Sequence, residues 1–471
     1  MRLIVKSMFC ALSLAAIVAC SSSDGGGAPG PGAGPDAGSP GVPDASAPAV
    51  DCPAPTAGPT VHTGDVKGDE VWTAAASPHV LDANVNIRDG AKLTIEPCAE
   101  VLLAKGAHLQ VAYPITPNTG TLIAEGTAAK PIRFHGKDGA RWGSIYAVAP
   151  GTVRLAHVTL EGGGGGDFEH GATLNILGNG EMPADAMVFL DHVTIKGSLG
   201  VGLFMQRGAS FIAGSKDLVV SGSGSEENPY PLEISEHAID ALPTGTFTGN
   251  KVDEILLRRE GNGIAGSGLV VDATLHDRGV PYQVGVSKND DFVVGGGEKG
   301  TVATLTIEAG VVMKFNEDSA FEVQHFTNLE PSTGAVRALG TAERPIVFTT
   351  SSKTPRAGAW RGFWFGGVPQ ATNQMDHVRI EYAGADCGCS LLTCSNIAEH
   401  EAAVIFTAQP PSAFITNTVF KDVAGHGVNL GFDGVPMDFK ATNTFEGVAG
   451  CEQTRPRNVD TTCPSPKPAC D

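Results

Sequence analysis

The segment Leu93–Val101, LTIEPCAEV, returns 212 residues later at Leu305–Met313 as LTIEAGVVM, and no other feature constrains the fold of this chain as tightly. In both places the same landmarks follow: a Gly-Thr-Ala step at Gly126 and Gly340, a tryptophan at Trp142 and Trp360, and a His-Val strand at His157 and His377. The spacing between partners grows slowly, to 214, 218 and 220 residues, so small insertions have accumulated along one long duplication. Self-similarity of this kind marks a solenoid, in which a unit that cannot bury its apolar face alone stacks on its neighbour.

The units read as strands. Ala91–Ile95, Val153–Leu160 and Met187–Ile195 alternate Val, Ile, Leu, Phe and Thr with polar residues at period two, the pattern of a half-buried strand. Glycine, 61 residues in all, with Asn and Asp separates them and tolerates the backbone angles of tight corners. No segment beyond the N-terminal signal carries a 3.6-residue apolar stripe. A β-sandwich or propeller is the rival, but hairpin signals are scarce, with Asn179-Gly180 a rare exception that leads into Pro183. An all-β, parallel β-helix is the fold expected.

Four runs give this expectation a family. They are the LTIE segments; Gly120–Phe134 with Gly334–Phe348, which share G-T-A-x-x-P-I-x-F; the tryptophans Trp142 and Trp360; and Met375–Gly384, MDHVRIEYAG. Together they resemble the bacterial pectin-lyase-like repeat lipoproteins, which implies a right-handed, single-stranded parallel β-helix. Residues 93–164 and 305–384 carry the likeness most closely, and 186–222 and 413–450 look like later coils of the same family, so it covers most of 60–450. The first copy departs from the family at Cys98 and Ala99, where a Pro-Gly turn is usual.

Arg2 and Lys6 precede an apolar stretch, Met8–Ala19, that has the length of a signal peptide and is too short to span a bilayer. It ends in Ile17-Val18-Ala19-Cys20, which resembles a lipobox and implies acylation of Cys20. Ser21–Val50, almost entirely Ser, Gly, Ala, Pro and Asp, cannot bury enough apolar surface to fold and reads as a tether. The organisation expected is a signal peptide over 1–19, a tether over 20–51, a β-helix over 52–450 with copies at about 60–230 and 270–450, and a Cys/Pro-rich tail over 451–471. Placement on the outer membrane through lipid at Cys20 follows from the resemblance. A net charge of −19 disfavours nucleic acid and anionic lipid surfaces as partners.

With Cys10 in the signal and Cys20 acylated, eight of the ten cysteines remain: Cys52, Cys98, Cys387, Cys389, Cys394, Cys451, Cys463 and Cys470. An even number in an exported chain suggests disulfides, and Cys52 with Cys98, isolated from the other six, is the expected pair. The Cys-x-Cys-x4-Cys run at 387–394 is open to zinc as well, but no second Cys or His pair completes a ligand set. Both cysteine groups lie near the ends of the rod, where open strand edges need covering.

Candidate chemistry is sparse. His157, His192 and His377 recur in one strand context and read as repeat positions. Gly425-His426-Gly427 matches a polygalacturonase tripeptide without that family's companion motifs. Asp290-Asp291 offers two carboxylates that strand geometry turns to opposite faces. Asp167, Glu169 and His170 follow the five glycines Gly162–Gly166 and read as a solvated loop. Trp360, Trp364 and Phe365 are the candidates for stacking on a sugar ring. No catalytic residue, metal ligand or cofactor site is expected. The reading that results is a non-catalytic surface lipoprotein whose rod is structural, adhesive or glycan-binding, with polysaccharide or a cell-surface protein as partner. The alternative is a polysaccharide lyase or glycoside hydrolase of the pectin-lyase-like superfamily.

Overall fold

A computed structural model describes residues 49–113, 118–166, 168–180, 184–260, 268–297, 300–324, 330–387, 402–465 and 470–471. The segment expected to be a signal, Cys20, nearly all of the expected tether, Asp167, Cys389 and Cys394 lie outside these residues. Among them, no helix is long and apolar enough to cross a membrane.

The chain winds as a parallel β-helix with three faces. In the first copy, one face stacks Asp69–Trp72, Ala91–Ile95, Gly120–Glu125 and the start of Thr152–Glu161. The second stacks His79–Ile87, Glu100–Leu103, Ile132–Gly136, the end of Thr152–Glu161, Asp185–Lys196, Lys216–Ser221 and Gly245–Thr246. The third runs from His79–Ile87 through Leu109–Val111, Ile145–Val148, Leu174–Leu177, Leu203–Gln206 and Leu232–Ile234 to Ile255–Leu257. Alternation decides what is inside. Ala91–Ile95 and its repeat Ala303–Ile307 show one burial pattern, with Leu93, Ile95, Leu305 and Ile307 in the core and the threonines outward.

The His-Val motif marks a corner. His157, His192 and His377 have φ of 47°, 54° and 51°, the left-handed region in which His, Asn and Asp are the tolerated side chains. Ala156 pairs with Asp191 on one face and Val158 with Val193 on the next, so the histidine is the bend between them. The recurrence of histidine is thus a backbone requirement.

The duplication is turned relative to itself. Ile255–Leu257, the last strand of the third face in the first copy, pairs with Tyr282–Val284, and Tyr282 pairs with Met313. Met313 is the sequence equivalent of Val101, which lies on the second face between His79 and Phe134. A whole copy therefore holds a non-integral number of turns, and the second begins one face further round. One column continues unbroken from His79–Ile87 to Thr444–Glu446. Its twelve steps of about 4.8 Å make a rod of roughly 58 Å.

The repeated tryptophans are structural in both copies. Trp142 and Trp360 are sealed in the core, and each indole donates across 2.7 Å to a backbone carbonyl, that of Glu161 and Glu381 respectively. A buried indole N–H needs such a partner.

Disulfides hold both ends. Cys52 and Cys98 are bonded, and Cys98 has φ 73° where its equivalent, Gly310, has φ 92°. The cysteine therefore occupies a glycine-type turn in order to reach the bridge. At the other end Cys451 is bonded to Cys470, the tail pairs Val428 with Gln453, and Lys440 Nζ donates to Asp471 O at 2.8 Å. Cys387 and Cys463 are disulfide-bonded as well. Opening the Cys52–Cys98 loop, which spans 46 residues, releases unfolded-state entropy worth about 4 kcal/mol. In the Cys52→Ser, Cys98→Ser double variant, hydrogen exchange is expected to speed up in the first coils while the strands beyond residue 300 keep their protection.

Candidate ligand groove and buried charge cluster

The first face of the second copy stacks Ala273–Leu275, Ala303–Ile307, Gly334–Leu339, Gln374–Asp376 and Ile415–Thr416. On its outer side lies an open groove of about 910 Å³. The floor is a row in register along the axis, Thr274, Thr306, Arg337 and Gln374, with Thr304 beside it. Asp240, Asp272 and the turns 371–373 and 412–414 form the walls.

The wall carboxylates are already employed. Asp240 Oδ1 accepts the amide of Thr274 at 2.8 Å, and Asp272 Oδ1 accepts that of Thr304 at 2.7 Å. Asn373 accepts the amide of Val336 at 2.8 Å in the same manner. These bonds satisfy strand amides, which is a structural duty. What the groove presents outward is hydroxyls, side-chain amides, one guanidinium and the second oxygens of Asp240 and Asp272.

A second assembly of charge sits where the two copies meet, and it is buried. Glu236, His237, Glu260, Asp291 and Glu322 are all nearly inaccessible. Burial pushes the Glu236 carboxyl up to about 7, with the Glu260 charge adding to the effect. Burial, and then Glu322, lift Asp291 to about 6, against the pull of Arg361, whose Nη2 donates to Asp291 Oδ1 at 2.5 Å. Burial lowers His237 to about 4. Among the described residues, Glu236 Oε1 and both ring nitrogens of His237 have no hydrogen-bond partner, and His237 Nε2 lies 3.8 Å from Glu236 Oε1. Strongly shifted groups in one place are what a catalytic site shows. The cavity beside them, lined by Glu236, Asp290 and Asp291, measures about 10 Å³, the space of one water and far below that of a sugar.

Of the described residues singled out by the sequence, Asp290 and Asp291 border this cluster and the others fall elsewhere. Asp290 and Asp291 diverge: Asp290 Oδ2 accepts the turn amides of Val286 and Ser287, while Asp291 turns to Arg361. His426 is buried, and its Nδ1 accepts the amide of Cys451 at 2.9 Å, so it belongs to the C-terminal cap. The glycine run is packed rather than solvated. Gly163–Gly165 are buried, the Gly164 amide donates to Gly143 O at 2.6 Å, and a Cβ on Gly164 would stand 2.0 Å from Gly171 O. The loop brings His170 onto Glu233, a buried carboxylate that also accepts from Arg258 Nη1 at 3.1 Å. Trp360 and Phe365 turn their rings into the core, and Trp364 is half-buried against Cys387, Ala402 and Ile405. Of the three aromatics, Trp364 alone is not fully buried, and it does not line the groove.

The groove residues escaped sequence reading because threonine in a strand is unremarkable. The usable signal was a difference between the copies: Arg337 stands where the first copy has Ile123. No family model, curated protein or solved structure matches this chain.

The buried acids set a pH dependence. A carboxyl whose folded-state pKa is raised contributes its full stability below the ordinary value, and that stability is lost as pH climbs through the raised one. For Glu236 the window runs from about 4.5 to about 7, and the loss is on the order of 3 kcal/mol. Urea midpoints are expected to fall between pH 5 and pH 8 in the wild type and to fall markedly less in Glu236→Gln. His62 and His79, both lowered chiefly by burial in the first coil, act in the opposite sense and lose stability as pH drops below about 6.5.

Proposed function

We propose that this chain is a lipid-anchored surface protein of the pectin-lyase-like β-helix type, and that its rod binds a polysaccharide of low charge in the lateral groove without cleaving it. The state of Asp240 and Asp272 carries the reading. A glycosidase needs two carboxylates flanking the scissile bond, one to donate a proton and one to act as base or nucleophile. The two in this groove accept strand amides instead. Threonine hydroxyls, Gln374 and Arg337, repeating at the rung spacing, suit hydrogen bonding to successive hydroxyl groups of an extended chain. Two acidic groups against one Arg, on a chain of net charge −19, disfavour a polyanion.

The polysaccharide lyase or hydrolase alternative draws on the shifted pKa values of Glu236 and Asp291. Its difficulty is access, since those groups lie beside a cavity that holds one water.

The test is a panel of neutral and acidic polysaccharides offered to the purified chain, scored for retention and for reducing or unsaturated products. Retention of a neutral glycan without products is expected, weakened at least tenfold in Arg337→Ala and unchanged in Glu236→Gln. Turnover abolished by Glu236→Gln would establish the enzyme instead. The anchor is tested separately: Cys20→Ser is expected to abolish incorporation of labelled fatty acid and to release the protein from membranes.

A further inference from the structure

The strongest unassigned constellation is on the edge between the first and second faces of the first copy. Stacking brings the left-handed corner residues His157, His192 and Asp217, from consecutive rungs, into one column along the axis. Asp191, the residue before His192, joins them. One donor atom from each of Asp191, His192 and Asp217 lies within 4.8 Å of the others.

The hydrogen bonding orders this group as a ligand set. His192 Nδ1 lies 2.5 Å from Asp191 Oδ1, and His192 Nε2 lies 3.5 Å from Asp217 Oδ2. A neutral imidazole has one N–H. In the tautomer whose hydrogen is donated to Asp191, beside which Lys216 Nζ also lies at 3.8 Å, the lone pair of Nε2 points at the Asp217 carboxylate, and a cation between them, metal ion or proton, joins the two. Two ligands each about 2.1 Å from a tetrahedral ion stand about 3.4 Å apart, close to the observed gap. A carboxylate that holds the other ring nitrogen is the usual support for a metal-bound histidine. The side chains of His192 and Asp217 are 49% and 48% exposed, which leaves the remaining coordination positions open to water.

The second copy supplies a contrast. His377, the repeat equivalent of His157, sits at the same kind of corner, with Nδ1 2.9 Å from Asp376 Oδ2, and the next rung carries Asn417 where the first copy has His192. Asn417 Nδ2 and Thr416 Oγ1 each donate to Asp376 Oδ1 at 2.7 Å, so that carboxylate is satisfied by the protein. The first copy thus sets a carboxylate, Asp217, on the rung after a corner histidine, where the second sets an amide, Asn417. No sequence spacing announces the set, because Asp191 and Asp217 become neighbours only through rung stacking.

We infer that His192 Nε2 and the Asp217 carboxylate bind a divalent transition-metal ion of the zinc class, with Asp191 orienting the imidazole. Imidazole with carboxylate suits zinc better than magnesium or calcium. The site is independent of the groove.

Zinc titration of the purified full chain by calorimetry, with ¹⁵N spectra of the histidine rings, tests it. In the wild type zinc is expected to bind and to shift the Nε2 signal of His192. His192→Asn, which keeps a residue suited to the left-handed corner, and Asp217→Asn are expected to abolish that binding event. Asp191→Asn should weaken it by roughly 10- to 100-fold, and His377→Asn should leave it unchanged. Binding that survives both His192→Asn and Asp217→Asn would overturn the assignment. So would a His192 signal that responds to acid and not to millimolar zinc, because the cation between Nε2 and Asp217 would then be a proton.

Discussion

Each rung of this molecule must place its backbone amides against the carbonyls of the next, and every other feature answers to that condition. A parallel ladder in which the chain returns to the same face after each turn requires sharp bends at fixed positions. Those bends require left-handed backbone, and that in turn selects His, Asn, Asp or Gly. His157, His192, Asp217, His377 and Asn417 all occupy such positions. Chemistry-bearing residues accordingly line the edges of the rod for conformational reasons, and function arises only where consecutive edges happen to carry complementary groups.

The same condition explains where charge is buried. The copies join with a turn of one face, so rungs of unlike origin must stack: Ile255 on Tyr282 and Leu257 on Val284. Around this seam lie the buried Glu236, His237, Glu260 and Asp291. Their shifted protonation follows from burial first and from neighbouring charge second. The seam looks like an active site by its pKa values and unlike one by its access, and access decides. The groove beyond it has the opposite character: open and polar, with each of its two carboxylates accepting a strand amide.

The fold was legible from one repeated segment, because a period-two apolar pattern and glycine corners leave few ways to bury a long strand-rich chain. The Cys52–Cys98 bridge was legible from isolation in sequence, and the core role of Trp142 and Trp360 from their equivalence. The one-face turn was not, since nothing in the residue pattern states how many turns a copy contains. The groove stayed hidden because Thr274, Thr306 and Arg337 are brought together across coils. The aromatic run drew attention away from it, although strand alternation buries Phe363 and Phe365 and leaves Trp364 between them half-covered. Reading the copies against each other locates individuality better than reading either alone: Arg337 against Ile123, and His192 at one corner against Asn417 at its equivalent.

The turned junction is the claim on which the positions of the groove and the buried acids depend. Leu256 and Gln283 are direct neighbours across it on the outer side of one column. A cysteine pair placed there falls within the reach of a disulfide, whose Cα atoms stand about 4.4–6.8 Å apart. Mass spectrometry of the Leu256→Cys, Gln283→Cys variant under mild oxidation is expected to find these two positions cross-linked in the folded chain. Had the copies stacked without the turn, the third face of the first would continue into the third face of the second. Leu256→Cys would then cross-link with Val293→Cys and not with Gln283→Cys, and that result would contradict the account.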